Sequence, residues 1–166
     1  IRSFPVEEYR RNIGIVLQSR LFRTPEDIRS LHERPCRVRI CIGIYKERTE
    51  VALQDTADMK ARLFEQVQLL LDHGHYPEIA THDEPLVRRC IEHLDKRGVP
   101  KDAYEFQMLL GVPRNELQRE IVERGQIVRL YVPFAEEWKY AIRYLKRRLA
   151  ASPSMALMVM KNLSGR

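Results

Sequence analysis

Hydrophobic positions along this chain follow two periods in turn, one near two residues and one near 3.6. The stretch IGIVLQSRLF, Ile13–Phe22, is a short apolar run that reads as a strand. TPEDIRSLHER follows, with Thr24 as the expected N-cap, Pro25 at the first helical position and acids in the first turn. RVRICIGIY, Arg37–Tyr45, is a second strand. DTADMKARLFEQVQLLLDHG is a long amphipathic helix in which Met59, Leu63, Val67, Leu70 and Leu71 recur at helical spacing and Gly74 is the stop. YPEIATHD is a short strand, and EPLVRRCIEHLDKRG a helix with Leu86, Cys90, Ile91 and Leu94 inward. AYEFQMLLG, PRNELQREIVERG, IVRLYVPF and EEWKYAIRYLKRRLAAS continue as strand, helix, strand and helix. PSMALMVMKNL, opened by Pro153, closes the chain as a further short helix.

The second strand raises a question of its own. Alternation puts Val38, Ile40, Ile42 and Ile44 on one face and Arg39, Cys41, Gly43 and Tyr45 on the other. A cation, a glycine and a phenol thus share a face opposite four aliphatic residues.

Five strands alternating with helices argue for βαβ crossovers and a parallel sheet, hence an α/β chain. The repeat is close to the unit of a (β/α)₈ barrel, roughly 30 residues. A doubly wound sheet is the competing architecture, but none of the seven glycines forms its G-x-G-x-x-G turn. Polar residues fall instead at the carboxyl ends of strands: Gln18, Tyr45, Thr81–His82–Asp83, Gln107 and Tyr131. That is where barrel active sites are built. A complete barrel takes about 250 residues; this chain has 166, read as one domain over 1–166 and as part of a TIM-like barrel. It begins at Ile1, which suggests a processed product, a trimmed product or a fragment.

Composition adds little until charge is considered. The chain is 44% hydrophobic, enough for a sizeable core, and no apolar run approaches the length of a membrane span. The net charge of +6 suits either a plain basic surface or an anionic partner such as a phosphate-bearing cofactor. Cys36, Cys41 and Cys90 have no paired spacing and read as reduced thiols, so a cytoplasmic setting is expected.

Three motifs carry candidate chemistry. His73 and His75 in HGHY straddle a helix stop and lack a third ligand nearby, so they read as two surface histidines and no metal site is expected. ATHDE ends a strand with a hydroxyl, an imidazole and a carboxylate; it is either a site edge or an ordinary turn with Asp83 capping the next helix. YLKRRLAAS puts Arg143, Lys146, Arg147 and Arg148 on one helix. This is a solvated basic face, or a clamp for a small carboxylate or phosphate, which arginine forks bind bidentately. Nucleic acid is disfavoured as a partner because no aromatic stacking platforms interleave with the basic residues.

Taken in order, GIVLQSRLFRT, VRICIGIYKE, IATHDE, YEFQMLLGV, RLYVPF and YLKRRLAASP resemble the carboxyl-terminal part of monofunctional proline dehydrogenases, FAD-dependent enzymes with a distorted (β/α)₈ barrel. The resemblance covers nearly the whole chain. It implies that Gln18 contacts the flavin and that Arg39 is catalytic beside the isoalloxazine. It also implies that Ile42, Gly43 and Ile44 lie along the cofactor and that Thr81 and His82 contact FAD. Arg147 and Arg148 would bind the carboxylate of L-proline, with Tyr131 and Tyr144 closing the substrate pocket. The implied reaction is oxidation of L-proline to Δ1-pyrroline-5-carboxylate by hydride transfer to flavin N5, the first step of proline catabolism. Electrons would then pass to a quinone-type acceptor, which adds a peripheral place at the inner membrane to the cytoplasmic expectation.

Several of these roles suit elementary chemistry. A cation stabilises negative charge on a reduced ring, a glycine leaves space for a planar group, and two arginines suit a carboxylate. The chain also departs from the family pattern. Ile42-Gly43-Ile44-Tyr45 stands where the family reads K-G-A-Y, Leu110 replaces an aromatic, and Ala151 replaces a glutamate after the arginine pair. The family's first strands, with a catalytic aspartate and a substrate-binding lysine, have no counterpart here. Two expectations follow. Either the chain is an enzyme segment that works with the missing N-terminal half, or it is a non-catalytic half-barrel serving as a folding or assembly unit. In both cases uncovered sheet edges favour self-association or a partner.

Overall fold

The computed structural model describes residues 13–31, 35–43, 47–132 and 134–151, and side chains throughout these except at 144, 145 and 147–151. Strands and helices alternate without interruption: β1 (Gly14–Gln18), α1 (Thr24–Ser30), β2 (Arg37–Cys41), α2 (Thr56–Asp72), β3 (Tyr76–Ala80), α3 (Glu84–Lys96), β4 (Glu105–Leu109), α4 (Asn115–Glu123), β5 (Val128–Tyr131) and α5 (Trp138–Ala151). The short helix expected from Pro153, together with Ile44 and Tyr45, lies outside the described residues.

All four strand pairings are parallel, and the sheet order is β1-β2-β3-β4-β5. This order decides between the two architectures. A doubly wound sheet reverses direction at a switch point, whereas here each new strand adds to the same edge. The result, among the described residues, is a five-stranded parallel sheet with the sequential strand order of a barrel, β1 and β5 at its two ends.

The apolar positions of the strands face the helices. Val38, Ile40, Ile79, Phe106 and Met108 are almost fully buried, and they pack with Ile28, with Leu63, Val67 and Leu70 of α2, with Val87, Cys90 and Leu94 of α3, and with Leu117 and Ile121 of α4. Each such side chain contributes about 1.5–3 kcal/mol by leaving water. The aliphatic face read from β2 is therefore the helix-packing face, and Ile42, just beyond the strand, also packs against this core.

Helix ends follow local chemistry, with one correction. Asp55 caps α2 by accepting from Ala57 N at 2.8 Å and Asp58 N at 3.0 Å, and Asp83 caps α3 by accepting from Leu86 N at 3.0 Å. The N-cap of α1 is Arg23 rather than Thr24, and it makes no side-chain cap bond. Thr24 is already helical; its hydroxyl donates to the Gln18 carbonyl at 2.6 Å and ties the helix start to the end of β1. That strand also ends earlier than its apolar run. Ser19 is buried, taking Cys41 O with its backbone N–H and Met59 O with its hydroxyl, and the chain turns there.

His75 corrects a second expectation. It is 3% exposed rather than on the surface, accepting from Cys36 N through Nδ1 and facing Ile28 O through Nε2, each at 3.3 Å. It belongs to the seam between α1 and β2. All three cysteines are free thiols.

Candidate functional site

The polar positions of the strands point away from the helices and meet one another across the sheet. Register sets Arg37 beside Tyr76, Arg39 beside Glu78, Glu78 beside Glu105, and Gln107 beside Arg129. Parallel strands lie about 4.8 Å apart, so long side chains on this inner face reach one or two strands over.

Glu105 is the hub. Its side chain is 1% exposed, yet it accepts from Arg37 Nη2 at 2.6 Å and from Arg129 Nε and Nη2 at 2.5 and 2.9 Å. Arg37 also donates to Glu78 at 2.6 Å and lies 4.0 Å above the Tyr76 ring. Burial alone would push the Glu105 carboxyl up. Hydrogen bonds from Arg129 and Gln107 and the charges of Arg37 and Arg129 outweigh that and hold it down at about 2.

From this cluster a chain of contacts runs toward the carboxyl ends of the strands. Gln107 donates through Nε2 to Glu78 at 2.8 Å and to Glu105 at 2.6 Å. Its Oε1 accepts from Arg39 Nη1. The Arg39 guanidinium lies 5.1 Å from the centre of the Tyr131 ring, within cation–π range. Of the residues singled out in the sequence, Arg39, Gln107 and Tyr131 are thus brought together.

A second group forms at the ends of β1 and β2. Gly43 has φ +94°, and a Cβ there would fall 2.1 Å from Gln18 Oε1. Gln18 therefore folds its amide over the glycine, and its Oε1 is buried with no hydrogen-bond partner among the described residues. Such an acceptor is costly to leave unmet in a protein interior.

Thr81 and His82 follow β3. The Thr81 hydroxyl accepts from Asp83 N at 3.1 Å. His82 Nε2 accepts from Leu109 N at 3.2 Å, which puts the proton of the neutral ring on Nδ1, and its carbonyl accepts from Arg114 Nε at 3.0 Å. Asp83 combines the helix cap with an ion pair to Lys60 at 2.6 Å. Asp83 is thus the cap of the strand-to-helix turn, and Thr81 and His82 stand at the end of β3.

Tyr144, Arg147 and Arg148 fall on α5, and their side chains lie outside the described residues, as does Ile44. Glu78 and Glu105 were not singled out in the sequence. The signal that marks them is the alternation of Glu105 and Gln107 with Phe106 and Met108 in a strand otherwise read as core.

The residues at the strand ends fit a flat polar heterocycle such as a flavin. Gln18 offers a buried acceptor lacking a donor, Gly43 makes room for that amide where a side chain could not fit, and Arg39 offers an oriented cation.

The sequence profile of a family described as proline dehydrogenase matches residues 3–154. The chain is 37% identical over 152 residues to a proline dehydrogenase of Deinococcus radiodurans, covering 92% of this chain and 48% of that protein. It is 33% identical over 151 residues to proline dehydrogenase 1 of Bacillus subtilis, covering 91% of this chain and 49% of that protein. Among solved structures it is similar to proline utilization A (PutA) from Bdellovibrio bacteriovorus inactivated by N-propargylglycine. That likeness has a TM-score of 0.78 and 28% identity, over 90% of this chain and 17% of the other. The chain spans about half the length of these curated relatives, and it belongs to the proline dehydrogenase family.

Proposed function

We propose that this chain forms the carboxyl-terminal part of the barrel of an FAD-dependent proline dehydrogenase, which oxidises L-proline to Δ1-pyrroline-5-carboxylate and works with an N-terminal half carrying the remaining strands. The observation that carries this reading is the family match over residues 3–154.

When bound, FAD supplies the two-electron acceptor. The roles of the chain's own residues are binding and orientation. Gln18 gives a hydrogen-bond acceptor held over Gly43, whose missing side chain makes room for the amide. Arg39 sets a fixed positive charge at the same strand ends, where developing negative charge is stabilised without reorganisation. Thr81 and His82 line the adjacent strand end, and Tyr131 packs on Arg39. Arg147 and Arg148 have the role of binding the carboxylate of proline as a bidentate partner, and Tyr144 that of helping to close the substrate pocket, as the family resemblance implies. The electron acceptor is a quinone, which sets the protein in the cytoplasm at the membrane surface.

The test is the visible spectrum of the chain incubated with FAD, alone and with the N-terminal half of a relative, before and after anaerobic proline. Flavin uptake followed by bleaching with proline is expected. A preparation that stays colourless even with the complementary half sinks this reading and leaves a non-catalytic half-barrel, the role suggested by Ile42 and Ile44 standing where the family reads lysine and alanine.

A further inference from the structure

The inner-face cluster has a direction built into it. A carboxylate accepts hydrogen bonds and has none to donate, whereas a guanidinium only donates. Gln107 stands between the two kinds of group. Its Nε2 donates to both Glu78 and Glu105, and its Oε1 accepts from Arg39. Reversed, the amide would set its oxygen against two carboxylates and its N–H groups against a guanidinium with no acceptor. The orientation is forced from both ends. Glu105, 1% exposed and bonded to two arginines, cannot turn away, so the lock is itself anchored.

Arg39 has a long side chain with many rotamers. Left alone on β2 it would sample them; an acceptor supplied from β4 leaves its guanidinium one direction, with the Tyr131 ring against it.

We propose that Gln107 is a positioning residue for Arg39: its amide, locked by Glu78 and Glu105, presents Oε1 to the guanidinium and holds that cation at the strand-end mouth. This rests on the reading of Arg39 as the cation beside the flavin and adds the residue that aims it. Gln107 acts through Arg39 and need not touch the cofactor.

Side-chain NMR of the full chain without flavin tests the contact directly, with Arg39→Lys assigning the signal. A hydrogen-bonded guanidinium rotates slowly, so resolved and slowly exchanging Nη protons are expected for Arg39 in the wild type. Gln107→Met removes both ends of the amide. Gln107→Glu removes the donor to the carboxylates but keeps an oxygen for Arg39. Slow rotation should be lost in Gln107→Met and kept in Gln107→Glu. Equal behaviour of the two variants would mean that Gln107 serves only the carboxylates, and it overturns the proposal. So does a freely rotating Arg39 in the wild type, a result that stands even if three adjacent carboxylates keep Gln107→Glu from folding. In flavin-loaded protein, Gln107→Met should shift the flavin midpoint potential to more negative values, because a wandering cation stabilises the reduced ring less. A chain with a fixed Arg39 that never takes up flavin supports the positioning role while sinking the dehydrogenase reading, so the two fail separately.

Discussion

The carboxamide of Gln18 lies directly over the α-carbon of Gly43, with Oε1 2.1 Å from where a Cβ at residue 43 would stand. Two strand ends are joined by this contact, and it exists only because residue 43 has no side chain and adopts φ +94°. Gly43→Ala should therefore act twice. The positive φ costs an alanine roughly 1–2 kcal/mol, and the methyl must drive the Gln18 amide aside. Urea unfolding should register the stability loss. Titration with FAD should register weaker uptake, whereas Gln18→Ala should weaken uptake with little loss of stability.

Glu105 is buried between Arg37 and Arg129, so removing its carboxylate leaves charge behind. Glu105→Ala is expected to destabilise the chain by less than the roughly 3–5 kcal/mol of a fully buried pair broken from one side, because Arg129 stays solvated and Arg37 keeps Glu78. Chemical unfolding at neutral pH measures it.

The same carboxyl gives a pH dependence with a definite sign. Its folded value is held at about 2, below the ordinary 4.5, so the folded state favours the ionised form. The resulting stability is fully present above 4.5 and is lost as pH falls from there toward 2. Acid titration of the unfolding midpoint should show this limb in the wild type. It should be reduced in Glu105→Gln.

Asp83 caps α3 and pairs with Lys60. Asp83→Ala should cost about 1 kcal/mol, a fall in melting temperature of roughly 2–4 °C at this size. Asp83→Asn keeps the cap and should recover most of it. Equal losses in the two variants would assign the effect to the Lys60 pair instead.

The three thiols should react in a set order. Burial pushes Cys90 up to about 12 and raises Cys36 as well. Cys41 is half-buried on the inner face. A thiol reagent at mildly alkaline pH should therefore label Cys41 first. If flavin takes the inner-face strand ends, FAD should slow that labelling, and mass spectrometry of the peptides would read both effects.

Apolar side chains are left uncovered along the β5 edge and the start of α5, above all Phe134 at 86% and Trp138 at 80% exposure. Sedimentation should show concentration-dependent association, decreased by replacing both residues with lysine. A well-folded monomer at all concentrations would count against the need for a covering partner.

Much of this fold was legible along the chain. Period-two and period-3.6 stretches located all five strands and the helices between them, and they assigned Val38 and Ile40 to the packed face. The order of short motifs pointed to the family. Capping was legible where one side chain settles it, as at Asp83, and illegible at Thr24, whose hydroxyl answers to a distant carbonyl on β1.

The site divides along the same line. Alternation says which face a residue takes, because that depends only on its own strand. It says nothing of which residues from different strands stand level, because register is set by the packing of whole βα units. Arg39 and Gln107 are 68 positions apart, as are Arg37 and Glu105, and their meeting rests on two successive strand pairings, β2 with β3 and β3 with β4. The local pattern was thus enough for the elements, the inner face and the strand-end glycine. The lock on Arg39 and the ionised state of Glu105 arise only when the sheet is assembled, since each depends on charges that the chain brings together from distant strands.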